Sequence, residues 1–200
     1  MARPKQQLIS QDWVVEAATR ILEQDGPDAL SLRRIASELG VTSASLYHHF
    51  SSKDEILMAV VRTALRDTNL PVLTEKWDDW ICEAAVEYRR LLIRRPFLIP
   101  LILQGTHPRT VATAVTDAKL GEIGVPPEVR AEFLLWLDTT VVAWALVSIN
   151  TPAGGGESAG LLDHEALLRG TIRQLLRDMI AQYRERSRKP KRSGNSPGEA

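Results

Sequence analysis

Apolar positions recur at helical spacing along the whole chain and nowhere alternate with the two-residue period of a strand. Behind a capping Ser10, Trp13, Val14, Ala17, Ala18, Ile21 and Leu22 make the stripe of a first helix that ends near Gly26-Pro27. Behind Ser31, Leu32, Ile35, Ala36 and Leu39 make a second, shorter stripe. Gly40 stops it, because glycine accepts the left-handed conformation a helix end needs, and Val41 plugs the corner. Thr42 caps the next helix, in which Ala44, Leu46, Tyr47 and Phe50 recur at helical spacing while Ser43, Ser45, His48 and His49 form a polar face. Two helices of about two turns do not hold themselves, so both must lean on the first.

Ser51-Ser52 cap a fourth helix from Lys53, with Asp54 and Glu55 where the helix dipole favours negative charge, and its apolar positions run through Leu65 towards Asn69. Pro71 closes that rod. Thr74 is then expected to cap a long helix to about Arg95, ended by Pro96. A short apolar segment, Phe97 to Leu103, follows, and after it a helix from Thr110 that stops at Gly121 to Gly124. Pro126-Pro127 open the next helix, apolar on nearly all sides from Val129 to Ile149, which must be wrapped by neighbours in its own subunit or another. TPAGGGESAG, residues 151–160, reads as a linker, and a last helix runs from Asp163 to about Arg184.

The fold class is therefore all-α: a three-helix helix-turn-helix domain (1–52), a connecting helix (53–70), a larger helical ligand-binding and dimerisation domain (71–184) and a basic disordered tail (185–200). With 44% hydrophobic residues in 200, the chain has material for a sizeable core. Net charge is zero, but Arg184, Arg186, Arg188, Lys189, Lys191 and Arg192 make the tail basic and leave the body mildly acidic. A nonspecific coat for nucleic acid is thereby excluded, and any nucleic-acid contact must be a local patch. The lone Cys82 excludes an internal disulfide framework and a cysteine-rich metal site, and reads as a small buried or half-buried residue. The first dozen residues lack the apolar core of a signal peptide, and the run Phe133 to Ile149, broken by Asp138, falls short of the roughly 20 residues of a membrane span. The expectation is a cytoplasmic protein without a membrane partner.

The second helix of the pair offers short hydroxyls, an aromatic hydroxyl and two imidazoles, flanked by Arg33 and Arg34 before and Lys53 after. A helix fits the major groove of B-DNA with its N-terminal side chains on base edges, while flanking cations bond phosphates. Thr42, Ser43, Ala44, Ser45, Tyr47, His48 and His49, with Arg33 and Lys53, are the candidate DNA contacts. One reading helix covers too few base pairs for useful specificity, so a homodimer on a palindromic double-stranded site is expected, with the helices of 127–150 and 163–184 as a four-helix seam. Arg3 and Lys5 precede the first helix, either as a minor-groove arm or as an untethered terminus.

Residues 12 to 61 also resemble the DNA-binding domain of the TetR (tetracycline repressor) family, in the pieces AATRILEQDGPDALSLRRIASELGVTSASLYHHF and SSKDEILMAVV, where the helix-turn-helix, the LYHHF ending and KDEIL stand at the family's spacing. The resemblance implies that Arg33, Ser43, Ala44 and His48 lie where base readers are found, and Tyr47, His49 and Lys53 where phosphate is gripped. The chain departs from the tetracycline repressor itself at Ser43, Ala44 and His48, so its operator should differ. It also implies an inducer bound in the C-terminal domain.

Trp80, Tyr88, Leu101, Gln104, His107, Trp136, Asp138, Thr140 and Trp144 are candidate linings for such a site, since apolar walls with a few polar groups describe small-molecule pockets. Aromatics at helical spacing equally fill cores. Asp138 stands out, because a carboxylate amid FLLWLDTTVVAW must be paired, at an interface, or used on a ligand. His48 and His49 point roughly 100° apart and do not converge on a metal. No cofactor motif is present. The expected function is a ligand-responsive regulator, a repressor released by a small apolar or amphipathic inducer. Its rivals are a DNA-binding regulator without small-molecule control and a small helical enzyme, for which Asp138 with His107 is the one acid-base pair to name.

Overall fold

The computed structural model describes residues 9–105, 110–150 and 163–188 of the chain. Helix α1, Gln11–Asp25, is capped by the Ser10 side chain, which accepts from Trp13 N, and it buries Val14, Val15, Ala17, Ala18, Ile21 and Leu22. A 3-10 turn, Pro27–Ala29, leads to α2, Leu32–Leu39. α3, Ser43–Leu46, and α4, Lys53–Arg66, follow. The larger part comprises α5, Trp77–Arg94, α6, Leu98–Leu103, α7, Val111–Glu122, α8, Pro127–Asn150, and α9, His164–Arg188. Among the described residues there is no strand.

Four boundaries differ from the periodicity. α3 ends at Leu46 rather than Phe50, because the chain must reverse into α4; His49 N bonds Leu46 O at 2.9 Å in a tight turn. α4 stops at Arg66 and not Asn69, with Asp67 N and Thr68 N bonding back to Thr63 and Leu65. α5 begins at Trp77 without a side-chain cap, not at Thr74, since Trp80 Nε1 donates to Pro71 O at 2.8 Å and pins the segment between as a non-helical strap. α9 continues past Arg184 to Arg188. At its other end the Asp163 carboxylate accepts from Glu165 N and Ala166 N, both at 3.0 Å, and the bonds to Ala166 and Glu165 hold its pKa below the ordinary value.

One continuous buried cluster runs from Val14, Leu22, Ile35 and Leu46 through Ile56 and Val61 of α4 to Ile81, Leu92, Leu101, Val142 and Leu168. The small N-terminal bundle and the larger helical part therefore share a core, with α4 as its bridge. α8 packs on α5, α7 and α9, burying Phe133, Val141, Val142 and Ala145 while Leu135 and Trp136 remain 66% and 56% exposed. Twenty-four residues long with a mean hydropathy of 1.5 over its most apolar window, α8 does meet the length and composition of a membrane span. The expected shortfall omitted the turn that Pro127 adds.

α5 and α9 are stitched by ion pairs: Arg90 with Glu165, Arg169 with Glu83, and Arg173 with Asp79 at 2.8 Å. Cys82 is wholly buried between them, and burial pushes its thiol pKa up to about 11.

Candidate DNA-reading face and ligand cavity

The turn between α2 and α3 is closed by a Schellman motif. Gly40 takes φ 66 and ψ 31, its N–H bonds Ser37 O at 3.2 Å, and Val41 N bonds Ala36 O at 2.9 Å. Thr42 then caps α3, its hydroxyl accepting from Ser45 N at 3.3 Å and sharing a hydrogen bond with Ser45 Oγ at 3.0 Å. Leu46 and Phe50 are buried and fix the roll of the segment. Thr42, Ala44, Tyr47 and His48 are thereby exposed, Tyr47 by 58%, while Ser43, Ser45 and His49 are half-buried beside them. Tyr47, His48 and His49 lie not in α3 but in the turn that follows it.

Arg33 is exposed on α2, whereas Arg34 pairs with Asp25 at 3.0 Å, so the two neighbouring guanidiniums are not equivalent. Lys53 is half-exposed in the first turn of α4, where Ser52 caps by accepting from Glu55 N at 3.2 Å. The Glu55 carboxylate folds back onto Ser51 N and Ser51 Oγ at 2.6 and 2.8 Å, and those bonds hold its pKa down. Two residues on this side escaped the periodicity. Trp13, assigned to the buried stripe, is 42% exposed at its edge, and Gln11 Nε2 donates to His49 O at 3.1 Å.

A cavity of about 520 Å³ opens between the end of α4, α5, α7 and α8. Leu65, Arg66, Thr68, Ile81, Tyr88, Thr113, Leu137 and Asp138 are among its walls. The Tyr88 hydroxyl is hydrogen-bonded to Asp138, and burial first, then the Asp138 charge and this bond, push its pKa upward.

Of the nine expected lining residues, Tyr88 and Asp138 lie on this cavity. Trp80 is buried as the strut on Pro71, Leu101 is core at 1% exposure, and Gln104 is an exposed helix cap. Trp136 lines a separate groove between α8 and α9 with Phe133, Met179 and Tyr183. Thr140 is half-buried off the cavity, and Trp144 packs its ring against His164 at 5.8 Å between centroids. These six stand elsewhere because helical spacing gives the face of a residue, not which neighbour that face meets. His107 lies outside the described residues, as do the terminal arm with Arg3 and Lys5, the 151–160 segment and tail residues 189–200. Periodicity also missed Leu65, Arg66 and Thr68, whose signal was their position at the end of the rod from the reading face.

An all-helical chain with an N-terminal helix-turn-helix, a shared core and a cavity in its larger part defines a class of regulator architecture. Residues 14–60 match the family model described as bacterial regulatory proteins, tetR family. An HTH-type transcriptional regulator from Saccharopolyspora erythraea is 35% identical over 105 residues, a stretch covering 50% of this chain and 44% of that protein. The match thus spans less than half the length of that curated relative. The ActR protein of Streptomyces coelicolor in complex with actinorhodin is similar over 89% of this chain and 98% of its own, at 25% identity and a TM-score of 0.70. BioQ with its double-stranded DNA operator is similar over 86% and 99%, at 24% identity and a TM-score of 0.61. Over residues 14–60 the chain thus matches the tetR family, and its overall fold is similar to those of these solved structures.

Proposed function

We propose that this chain is a transcriptional repressor that binds a palindromic DNA operator as a homodimer in the cytoplasm and is released by a small apolar or amphipathic molecule in the α4–α5–α7–α8 cavity. One observation carries the reading: α4 has Lys53 in its first turn, a few residues along the chain from the exposed Tyr47 and His48, and Leu65 and Arg66 in its last turn, on the cavity wall. Its 14 residues span about 21 Å, so a tilt set at one end moves the other as a rigid rod. Arg33 and Lys53 supply phosphate contacts on either side of the hydroxyls and imidazoles that face base edges.

The dimer rests on α8 and α9. Leu135, Trp136, Leu146, Val147, Ile149 and Leu167 are exposed apolar side chains on these two helices, an uneconomical surface for a lone subunit. A second copy would cover it and set the spacing of the two reading faces. A ligand that prefers the wrong spacing lowers operator affinity by its differential affinity for the two states, typically about 1–3 kcal/mol.

Fluorescence anisotropy with DNA from upstream of the chain's own gene tests the reading. Tyr47→Ala and Lys53→Ala should each weaken binding at least about tenfold, consistent with the loss of a charge-assisted contact. Affinity unchanged by both substitutions contradicts the assignment.

A further inference from the structure

The ion pairs among the described residues sort by the part of the molecule they close. Arg20 with Glu38 and Arg34 with Asp25 hold α2 against α1. The pairs of Arg89, Arg90, Lys119, Arg130, Arg169 and Arg173 stay within the larger part. Arg95 is the described residue whose pairs cross. Its Nε lies 3.5 Å from the carboxylate of Glu23, in the last turn of α1, and its Nη1 lies 3.9 Å from that of Asp67, the residue that caps α4.

The root of this side chain is fixed. Arg95 ends α5, its N–H bonding Leu91 O at 2.8 Å and its carbonyl accepting from Leu98 N at 3.0 Å, and Pro96 restricts the backbone of the corner into α6. One planar guanidinium therefore ties a fixed point of the larger part to the helix that braces the reading turn and to the far end of the connecting rod. The buried core joins the same parts, but burial is non-directional, whereas two carboxylates on one fork set an angle. With the side chains of Arg95, Glu23 and Asp67 exposed by 32%, 45% and 61%, the pairs add little to folding stability. Their place in the fold gives them another use.

Resting on the DNA-reading assignment above, we infer that Arg95 is a positioning residue: it holds α1, and with it the reading turn, at the attitude to the larger part in which operator is bound. Without it the N-terminal bundle visits other attitudes, and affinity falls by the fraction of chains that remain competent.

Anisotropy titrations of the full chain on DNA from upstream of its own gene test this. An exposed pair is worth up to about fivefold in an equilibrium constant, and both subunits on one operator carry its loss. Arg95→Gln should therefore weaken binding about three- to tenfold, with the thermal unfolding midpoint nearly unchanged. Arg94→Gln, the same change of charge at the exposed neighbour, should have no such effect. Glu23→Arg, which sets two guanidiniums face to face, should also weaken binding although it adds positive charge. Arg95→Glu should weaken it further than Arg95→Gln, and combining it with Glu23→Arg, which restores the net charge, should recover at least half of that loss on a logarithmic scale. Arg95→Gln that binds like the wild type or tighter, an equal loss from Arg94→Gln, tighter binding by Glu23→Arg, or no recovery in the combined variant overturns the inference.

A second arm needs no DNA. Nitroxides on Ser37→Cys in α2 and Glu122→Cys in α7, both exposed positions, report the distance between the two parts in chains diluted with unlabelled protein, the buried Cys82 staying unreacted. Arg95→Gln should broaden the distance distribution, and an unchanged width overturns the inference. A wild-type chain that binds no operator fails the regulator reading, and the distance arm then decides the role of Arg95.

Discussion

Gln11 Nε2 donates to the carbonyl of His49 at 3.1 Å, tying the first turn of α1 to the turn that ends the reading segment, 38 residues away in sequence. His49 O lies past the end of α3, where no further helical turn is present to use it. The bond thus anchors the strip carrying Tyr47 and His48 to the helix that braces it. Gln11→Ala should leave the circular dichroism spectrum intact and weaken operator binding by roughly two- to tenfold, the worth of one exposed hydrogen bond of about 0.5–1.5 kcal/mol. Anisotropy measures it, and equal affinity would show that the tie has no bearing on the face.

Gly170 sits inside α9, exposed, and apart from its chain neighbours and its own helix backbone no atom of the described residues lies within 4 Å of a Cβ built there. A mid-helix glycine costs roughly 1 kcal/mol against alanine, and the subunit's own packing gives no reason for it. Its neighbour Leu167, one turn earlier, is 40% exposed and belongs to the apolar surface assigned to the second copy. Gly170→Leu should therefore keep the subunit folded yet shift sedimentation towards monomer. A dimer that tolerates leucine at 170 would place the helix crossing elsewhere, and a wild-type monomer would remove the seam altogether.

The α5–α9 ion pairs predict a pH dependence. Hydrogen bonding to Arg169 lowers the pKa of Glu83, and hydrogen bonding to Arg90 lowers that of Glu165, both from an ordinary 4.5. A carboxyl whose folded pKa is depressed adds stability that is complete above the unfolded value and is lost as pH falls through the folded one. Stability should hold from neutrality to about pH 5 and decline below 4.5, as the unfolded chain takes up protons first. Glu165→Gln should flatten that decline in urea titrations at a series of acid pH values. An unaltered slope would mean that these pairs are too well solvated to matter.

The helix-turn-helix was legible because its determinants are local. Ser31, Gly40, Thr42 and Ser52 each act on backbone within five residues, and the stripes of α1, α2 and α4 need only a common apolar neighbour. Trp13 shows the limit. It sits at the edge of its stripe, and only the packing of α1 on α2 and α4 determines that the edge faces water.

The sequence by itself determined an all-helical chain, its caps and stops, the polar strip of Thr42 to His49 between Arg33 and Lys53, and a helix at 127–150 too apolar to stand alone. Tertiary structure decided which groups surround the cavity. Trp80 went to the Pro71 carbonyl, Trp136 to a groove beside α9, and Trp144 to His164, while Thr68 came to share a cavity with Tyr88 and Asp138. Caps and stripes follow from the i to i+4 geometry of one helix, whereas a cavity is the space left where four helices diverge, and no spacing within any one of them encodes it.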